Sequence, residues 1–157
     1  MVTIRKAKRE DMIALDELLF LFEKEHSEKY YPLIVPEVMA KEESVRVWSK
    51  FDSMIVLLAE DKGKIVGFAY GEVKNAKKHG YKSNIGVIGN LYVKPEYRGR
   101  GIGEKLMKKL MSILSKSKVS EIRVEVFADN TPAKNLYEKL GFKVMRQTMT
   151  KKVKKVV

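Results

Sequence analysis

The stretch Asn90-Leu-Tyr-Val-Lys-Pro-Glu-Tyr-Arg-Gly-Arg-Gly-Ile-Gly, ending at Gly103, combines residue types and spacing that carry chemistry. A strand-like run passes into glycines at 99, 101 and 103 and then into a helical pattern with one apolar face. Glycines let backbone N–H groups close on an anion, the helix N-terminus adds a partial positive charge, and Arg98 and Arg100 add full ones. Such a turn is suited to holding a diphosphate. Spacing excludes two familiar versions of it. A dinucleotide-binding Gly-x-Gly-x-x-Gly starting at Gly99 needs a glycine where Glu104 stands, and the Gly-Lys-Ser/Thr of a nucleoside-triphosphate loop is absent.

Other chemistries are narrowed by composition. With no cysteine, the chain has no disulfide framework, no thiolate metal site and no cysteine nucleophile. His26 and His79 lie far apart without a local ligand pattern, so they read as surface residues, and no metal is expected.

The elements that must position the glycine turn follow from periodicity. Residues 2–6 alternate as a strand, and Glu10-Asp11 open a helix with Ile13, Leu15, Leu18, Leu19 and Phe22 on one face. A second helix is predicted from Pro36 to about Phe51, with Val38, Val45 and Trp48 as candidate buried positions. The period then changes to two for a hairpin, Met54–Glu60 and Ile65–Val73, turning at Asp61-Lys62-Gly63-Lys64. The polar stretch from Lys74 to Ser83 reads as a solvated loop. Strand Ile85–Val93 leads into the glycine turn, and the helix beyond it carries Ile102, Leu106, Leu110, Ile113 and Leu114 on one face. Ser120–Ala128 forms a further strand. Asp129-Asn130-Thr131-Pro132 starts a last helix, Gly141 ends it, and Phe142 to about Val153 is strand-like. The order β-α-α-β-β-β-α-β-α-β predicts a mixed α/β (α+β) sheet with helices on its faces.

At 157 residues, 45% hydrophobic and 33% charged, the chain is expected to be one domain spanning residues 1–157 with a substantial core. No apolar run is long enough to cross a bilayer and the N-terminus lacks the pattern of a secretory signal, which predicts a cytoplasmic protein that does not enter membranes. The net charge of +12 predicts anionic partners. Abundant Lys and Glu with few amides matches a thermophilic composition, in which much of that charge is a solvated surface. The lysine clusters lack interleaved aromatics, so nucleic acid is disfavoured as a partner.

Arg98-x-x-Gly101-x-Gly103 after a strand resembles the acetyl-CoA signature of the GCN5-related N-acetyltransferase (GNAT) family, and Asn130-x-x-Ala133-x-x-x-Tyr137-x-x-x-Gly141-Phe142 matches that family's other signature in register. The resemblance is specific over residues 85–142, the acetyl-CoA-binding half, and elsewhere extends to element order. It implies a mostly antiparallel sheet of six to seven strands, flanked by about four helices and splayed at its central strands. It also implies acetyl-CoA as cosubstrate, with its diphosphate on the amides of Gly99, Arg100, Gly101, Ile102 and Gly103. Pantetheine would run along Leu91, Tyr92 and Val93, with Asn130 and Ala133 beside it.

Acetyl transfer to an amine needs a neutral nitrogen, stabilisation of the developing oxyanion and a proton for the departing thiolate. The resemblance assigns the proton to Tyr137 and the carbonyl to a backbone N–H near Leu91 to Val93. Glu125 has the spacing of the base in enzymes that acetylate a ribosomal protein's N-terminus, a subgroup that Asn90 also resembles; alternation equally allows a solvated strand residue, and Glu72, acting through a water, is the fallback. The short stretch after Phe142, ending in Lys151-Lys152-Val-Lys154-Lys155, departs from that subgroup. Small amines, amino acids and peptide termini remain as acceptors. A polyamine requires a local acidic pocket, for example from Glu23, Glu25, Glu28 or Glu72, against the basic surface. Tyr30, Tyr31 and Trp48 are candidate acceptor-pocket residues, and the strand-like C-terminal segment is suited to pairing across a homodimer. The alternative reading is a non-catalytic CoA-binding or basic nucleic-acid-associated regulatory module.

Overall fold

Short runs with every second residue apolar cannot bury their backbone alone, and here they pair into one sheet. The computed structural model describes residues 1–153, so Lys154 and Lys155 of the basic tail lie outside the described residues. Strands β1 (Thr3–Lys6), β2 (Ile55–Asp61), β3 (Lys64–Lys74), β4 (Asn84–Val93) and β5 (Val119–Val124) stand side by side in chain order. The first three junctions are antiparallel and β4–β5 is parallel. The parallel junction requires a crossover, and α3 (Ile102–Ser115) supplies it.

Alternation along the strands divides the core in two. Leu57, Ala59, Ala69, Ile88 and Val93 point to one face, where Ile102, Leu106, Met107, Leu110 and Leu114 of α3 close over them and α4 (Thr131–Lys139) adds Tyr137. Val56, Leu58, Phe68, Tyr70 and Tyr92 point to the other, beneath α1 (Met12–Lys29) and α2 (Pro36–Ser49). Each fully buried leucine contributes about 1.5–3 kcal/mol relative to exposure.

The structure corrects several expectations. In α2, Val38 and Val45 are exposed, and Ala40 and Val47 are buried instead. The helix is turned by its polar contacts with α1: the Ser44 hydroxyl donates to Asp16 Oδ1 at 2.8 Å and the Trp48 indole N–H donates to the same oxygen at 3.0 Å. Ile13 lies off the buried stripe of α1, and His26, expected at the surface, is half-buried against Phe22 with ring centroids 3.9 Å apart. Strand β5 ends at Val124 rather than Ala128 because its partner β4 veers away there. Residues 142–153 form no strand, since Val144, Met145 and Met149 face solvent without a ladder to join. The sheet therefore has five strands among the described residues, not six to seven.

Candidate active site

The site begins where β4 stops pairing. Its parallel ladder with β5 runs from Asn84↔Val119 to Ile88↔Val124, and beyond that point Gly89–Val93 have no partner on the β5 side. On its other edge β4 is out of step with β3: Leu91 pairs with Ala69, but Ile88 pairs with Gly71, so Gly89 and Asn90 together stand opposite Tyr70. This is a β-bulge, which bends a strand and opens its edge. Gly89 is required by close approach, because a Cβ there would lie 1.9 Å from the Tyr70 ring. The sequence reading did not single out Gly89; an isolated glycine inside a strand pattern was the available signal.

The glycine turn continues from this open edge. Gly99 and Gly101 have φ of +73° and +72°, and a Cβ added at either would meet no atom within 4 Å. These glycines are selected by backbone conformation, and the space above them is open. No side chain caps the α3 N-terminus. The first-turn amides at Ile102 and Gly103 are therefore available to an anion, which fits the diphosphate of a CoA-type ligand. Arg98 is more committed than the sequence suggests. Its Nε donates to the Val93 carbonyl at 2.8 Å, and its two terminal nitrogens donate to Glu25 of α1 at 2.9 and 2.6 Å. Arg100 donates to the Glu96 carbonyl at 2.8 Å and lies over the Tyr97 ring.

Leu91, Val93, Ile102, Ala133 and Tyr137 all join the core on the α3–α4 face, whereas Tyr92 turns to the α1 face. Asn130 caps α4, its Oδ1 accepting the Ala133 N–H at 3.2 Å, so its side chain fixes the helix that carries Tyr137. Burial pushes the Tyr137 hydroxyl up to about 12. It remains a proton donor throughout the neutral range.

The two base candidates are separated. Glu125 is exposed, one residue beyond β5. Glu72 lies on the α1–α2 side, where Arg46 donates to it at 3.3 Å and Lys50 stands 3.7 Å away. On the same side, the Tyr70 hydroxyl donates to Glu43 at 2.7 Å and accepts from Arg46 at 3.4 Å. Of the pocket candidates, Trp48 is held by Asp16 between the helices and stacks on Phe51. Tyr30 and Tyr31 stack on Phe127, centroids 6.0 and 5.9 Å away. Tyr31 and Phe127 also line an open apolar groove of about 520 Å³ with Ile34, Val38 and Met39. Among the described residues, no cluster of His, Asp or Glu is arranged to hold a metal and no helix is long and apolar enough to cross a membrane.

Comparison with known proteins agrees with this geometry. Thialysine N-epsilon-acetyltransferase from Bos taurus is 44% identical over 52 residues, 33% of this chain and 31% of that protein. The matched stretch thus spans about a third of that curated relative. A mutant of the BH1408 protein from Bacillus halodurans superposes with a TM-score of 0.76 at 22% identity, covering 96% of this chain and 99% of the other. AAC(6')-Iy bound to the bisubstrate analogue CoA-S-monomethyl-acetylneamine superposes with a TM-score of 0.71 at 15% identity, covering 98% and 99%. These likenesses show a shared fold. The acetyltransferase (GNAT) family model matches residues 14–142, which takes in the split strand, the glycine turn and the helix bearing Tyr137, and the chain belongs to that family.

Proposed function

We propose that this chain is an acetyl-CoA-dependent N-acetyltransferase that moves an acetyl group to a primary amine by direct attack on the thioester. The observation that carries this reading is the β5-side edge of β4 over Gly89–Val93, which is open although β3 pairs with the other edge, running into an uncapped helix N-terminus with Tyr137 buried against α3. An extended amide-bearing arm finds a strand edge to pair with, and its diphosphate finds free amides. Supporting likenesses are the CoA conjugate bound by AAC(6')-Iy and the amine acetylation named in the thialysine enzyme.

In the reaction the amine nitrogen forms a bond to the carbonyl carbon, and the oxyanion is held by a β4 backbone N–H between Leu91 and Val93. The carbon–sulfur bond then breaks, and the departing thiolate takes the Tyr137 hydroxyl proton. The proton released by the amine passes to solvent through Glu125, which is exposed at the end of the β4–β5 gap, or through a water held by Glu72. Arg98 acts by fixing the junction of β4 and the glycine turn rather than as a free cation, because its guanidinium is occupied by Val93 and Glu25.

Calorimetric titration with acetyl-CoA, with ATP and NAD as controls, tests the reading. Saturable binding of acetyl-CoA alone, weakened by Gly101→Val or Arg98→Ala, supports it. Absence of binding makes the turn purely structural and overturns it.

A further inference from the structure

Strand β4 separates two ends of the sheet. At one end Val93 feeds the glycine turn. At the other, roughly 30 Å away at about 3.3 Å per residue, β3 stops at Lys74, β4 starts at Asn84 and β5 starts at Val119. Lys74, Lys77, Lys78 and Lys82 come to this end from the β3–β4 connection, and Lys116 and Lys118 come from the turn between α3 and β5. All six are exposed, and none is in an ion pair among the described residues. Neither residues 73–83 nor residues 105–120 contain an Asp or Glu. The acids next along the strands are already engaged, Glu121 by Arg123 and Glu72 by Arg46 and Lys50. Like charges gathered without counter-charge repel one another, and a polyanion relieves that repulsion.

The β3–β4 connection is solvated, as its polar sequence predicts, but it is also tied down. Residues Ala76–His79 form a 3-10 turn that Gly80 ends at φ of +86°. The Gly80 and Tyr81 N–H groups donate to the Lys77 and Ala76 carbonyls at 3.2 Å, Ala76 is buried, and the Ser83 and Ser120 hydroxyls bond across to β5. Its lysines therefore stand on a fixed surface. Tyr81 is 49% exposed, and Arg123 of β5 lies over its ring, 5.2 Å from the centroid. Along the sequence the lysine clusters lack interleaved aromatics; the fold supplies one by bringing Arg123 to Tyr81. A tyrosine ring backed by a guanidinium is a platform for a nucleobase, a flat group that the side chains of an acidic polypeptide lack.

We propose that this end of the sheet, the 74–82 connection with Lys116 and Lys118 beside it, is a binding surface for single-stranded nucleic acid. The lysines hold phosphates and one base stacks on Tyr81. The surface stands at the opposite end of β4 from the glycine turn, so it is separate from the diphosphate cradle and does not rest on the acetyltransferase reading. Lysine contacts to phosphate carry no sequence information, so binding is tolerant of sequence and weakens with salt.

The test titrates the full chain into fluorescein-labelled RNA and DNA strands of one mixed sequence, about 20 nucleotides long, in about 0.1 M salt, and reads anisotropy. Saturable binding of either strand is expected, tighter than that of poly-glutamate of matched charge. Lys77→Glu combined with Lys78→Glu is expected to weaken binding about tenfold or more and to lower the slope of log affinity against log salt by about one unit. Lys62→Glu combined with Lys64→Glu changes net charge equally at the exposed β2–β3 turn, and is expected to leave affinity within about twofold. Tyr81→Ala is expected to weaken binding about fivefold or more at an unchanged salt slope. An unchanged denaturant midpoint shows that each variant is folded. Four results each overturn the surface: no binding by wild type, equal losses from the two charge-reversal pairs, undiminished affinity in Tyr81→Ala, or poly-glutamate bound as tightly as the strands, which would make this end a site for acidic polypeptides. All four leave acetyl-CoA binding untouched.

Discussion

On the face covered by α3 and α4, the sheet meets an apolar layer in which Tyr137 is the one buried titratable residue among the described residues; on the face under α1 and α2, the layer includes Tyr70 and Glu23 and borders Glu43, Arg46 and Glu72. The first face ends in backbone devices, an open strand edge and two glycines at positive φ. The second ends in charged side chains held by one another. Backbone devices recognise what every reaction of a family has in common, whereas side-chain charge is free to change with the acceptor. On the proposed reading the proton donor belongs to the first face, which leaves the second free to vary with the acceptor.

The largest effect expected from this division is on the chemical step. Tyr137→Phe removes the proposed proton donor and little else, since Tyr137 packs edge-on to Phe142 through its ring, centroids 5.9 Å apart. A fall of about 10²–10⁴ in kcat with unchanged acetyl-CoA affinity is expected from loss of a general acid. Because burial holds this hydroxyl near 12, wild-type activity should show no loss of the acid form below about pH 11. Equal rates for Tyr137→Phe and wild type with every acceptor would remove the assigned asymmetry between the faces.

Next in size is the contact through which the faces meet. Gly89→Ala places a methyl 1.9 Å from the Tyr70 ring, which is itself fully buried and tied to Glu43, so ring or bulge must move. Overpacking of this kind costs about 1–3 kcal/mol, read as a lower denaturant midpoint, and it should lower activity with any amine by displacing the bulge. Unchanged stability would mean that Tyr70 is free to rotate away and does not connect the two regions.

Legibility in the sequence follows the same division. Gly99 and Gly101, the Asn130 cap and the α3 stripe are local: their conformation depends on residues a few positions away, so a one-dimensional pattern contains the information. The α1–α2 side is assembled from α1, α2 and β3, and its arrangement appears only when they pack. Asp16 turned α2 so that Val47, not Val45, faced inward, and nothing within α2 records this. Glu23 was visible as one of several acids, but its isolation depends on Arg98 and Lys29 occupying Glu25 and on Arg46 and Lys50 occupying Glu72. The 142–153 segment has a strand-like pattern yet pairs with nothing, for a related reason. Alternation shows that a segment suits a strand, not that an edge is free to receive it.

The smallest effect tests the one contact that crosses from the glycine turn to α1. Arg98 and Glu25 form a two-pronged pair, and that bond holds the Glu25 carboxyl down at about 2, below its ordinary value of 4.5. A depressed folded value means that the pair stabilises the protein above about pH 4.5 and that this contribution fades as pH falls toward 2. The pair is partly exposed, so Glu25→Gln should cost less than about 1 kcal/mol at neutral pH, with the gap from wild type narrowing in acid when both are unfolded by denaturant. The same variant separates two roles for Arg98. With its Nε still on the Val93 carbonyl, a guanidinium that serves to position the turn should bind acetyl-CoA no more than about fivefold more weakly once Glu25 is neutral. Tighter binding would show that Glu25 competes with the diphosphate for Arg98, and the arginine would then belong with the charged, adjustable side of the molecule rather than with the backbone devices beside it.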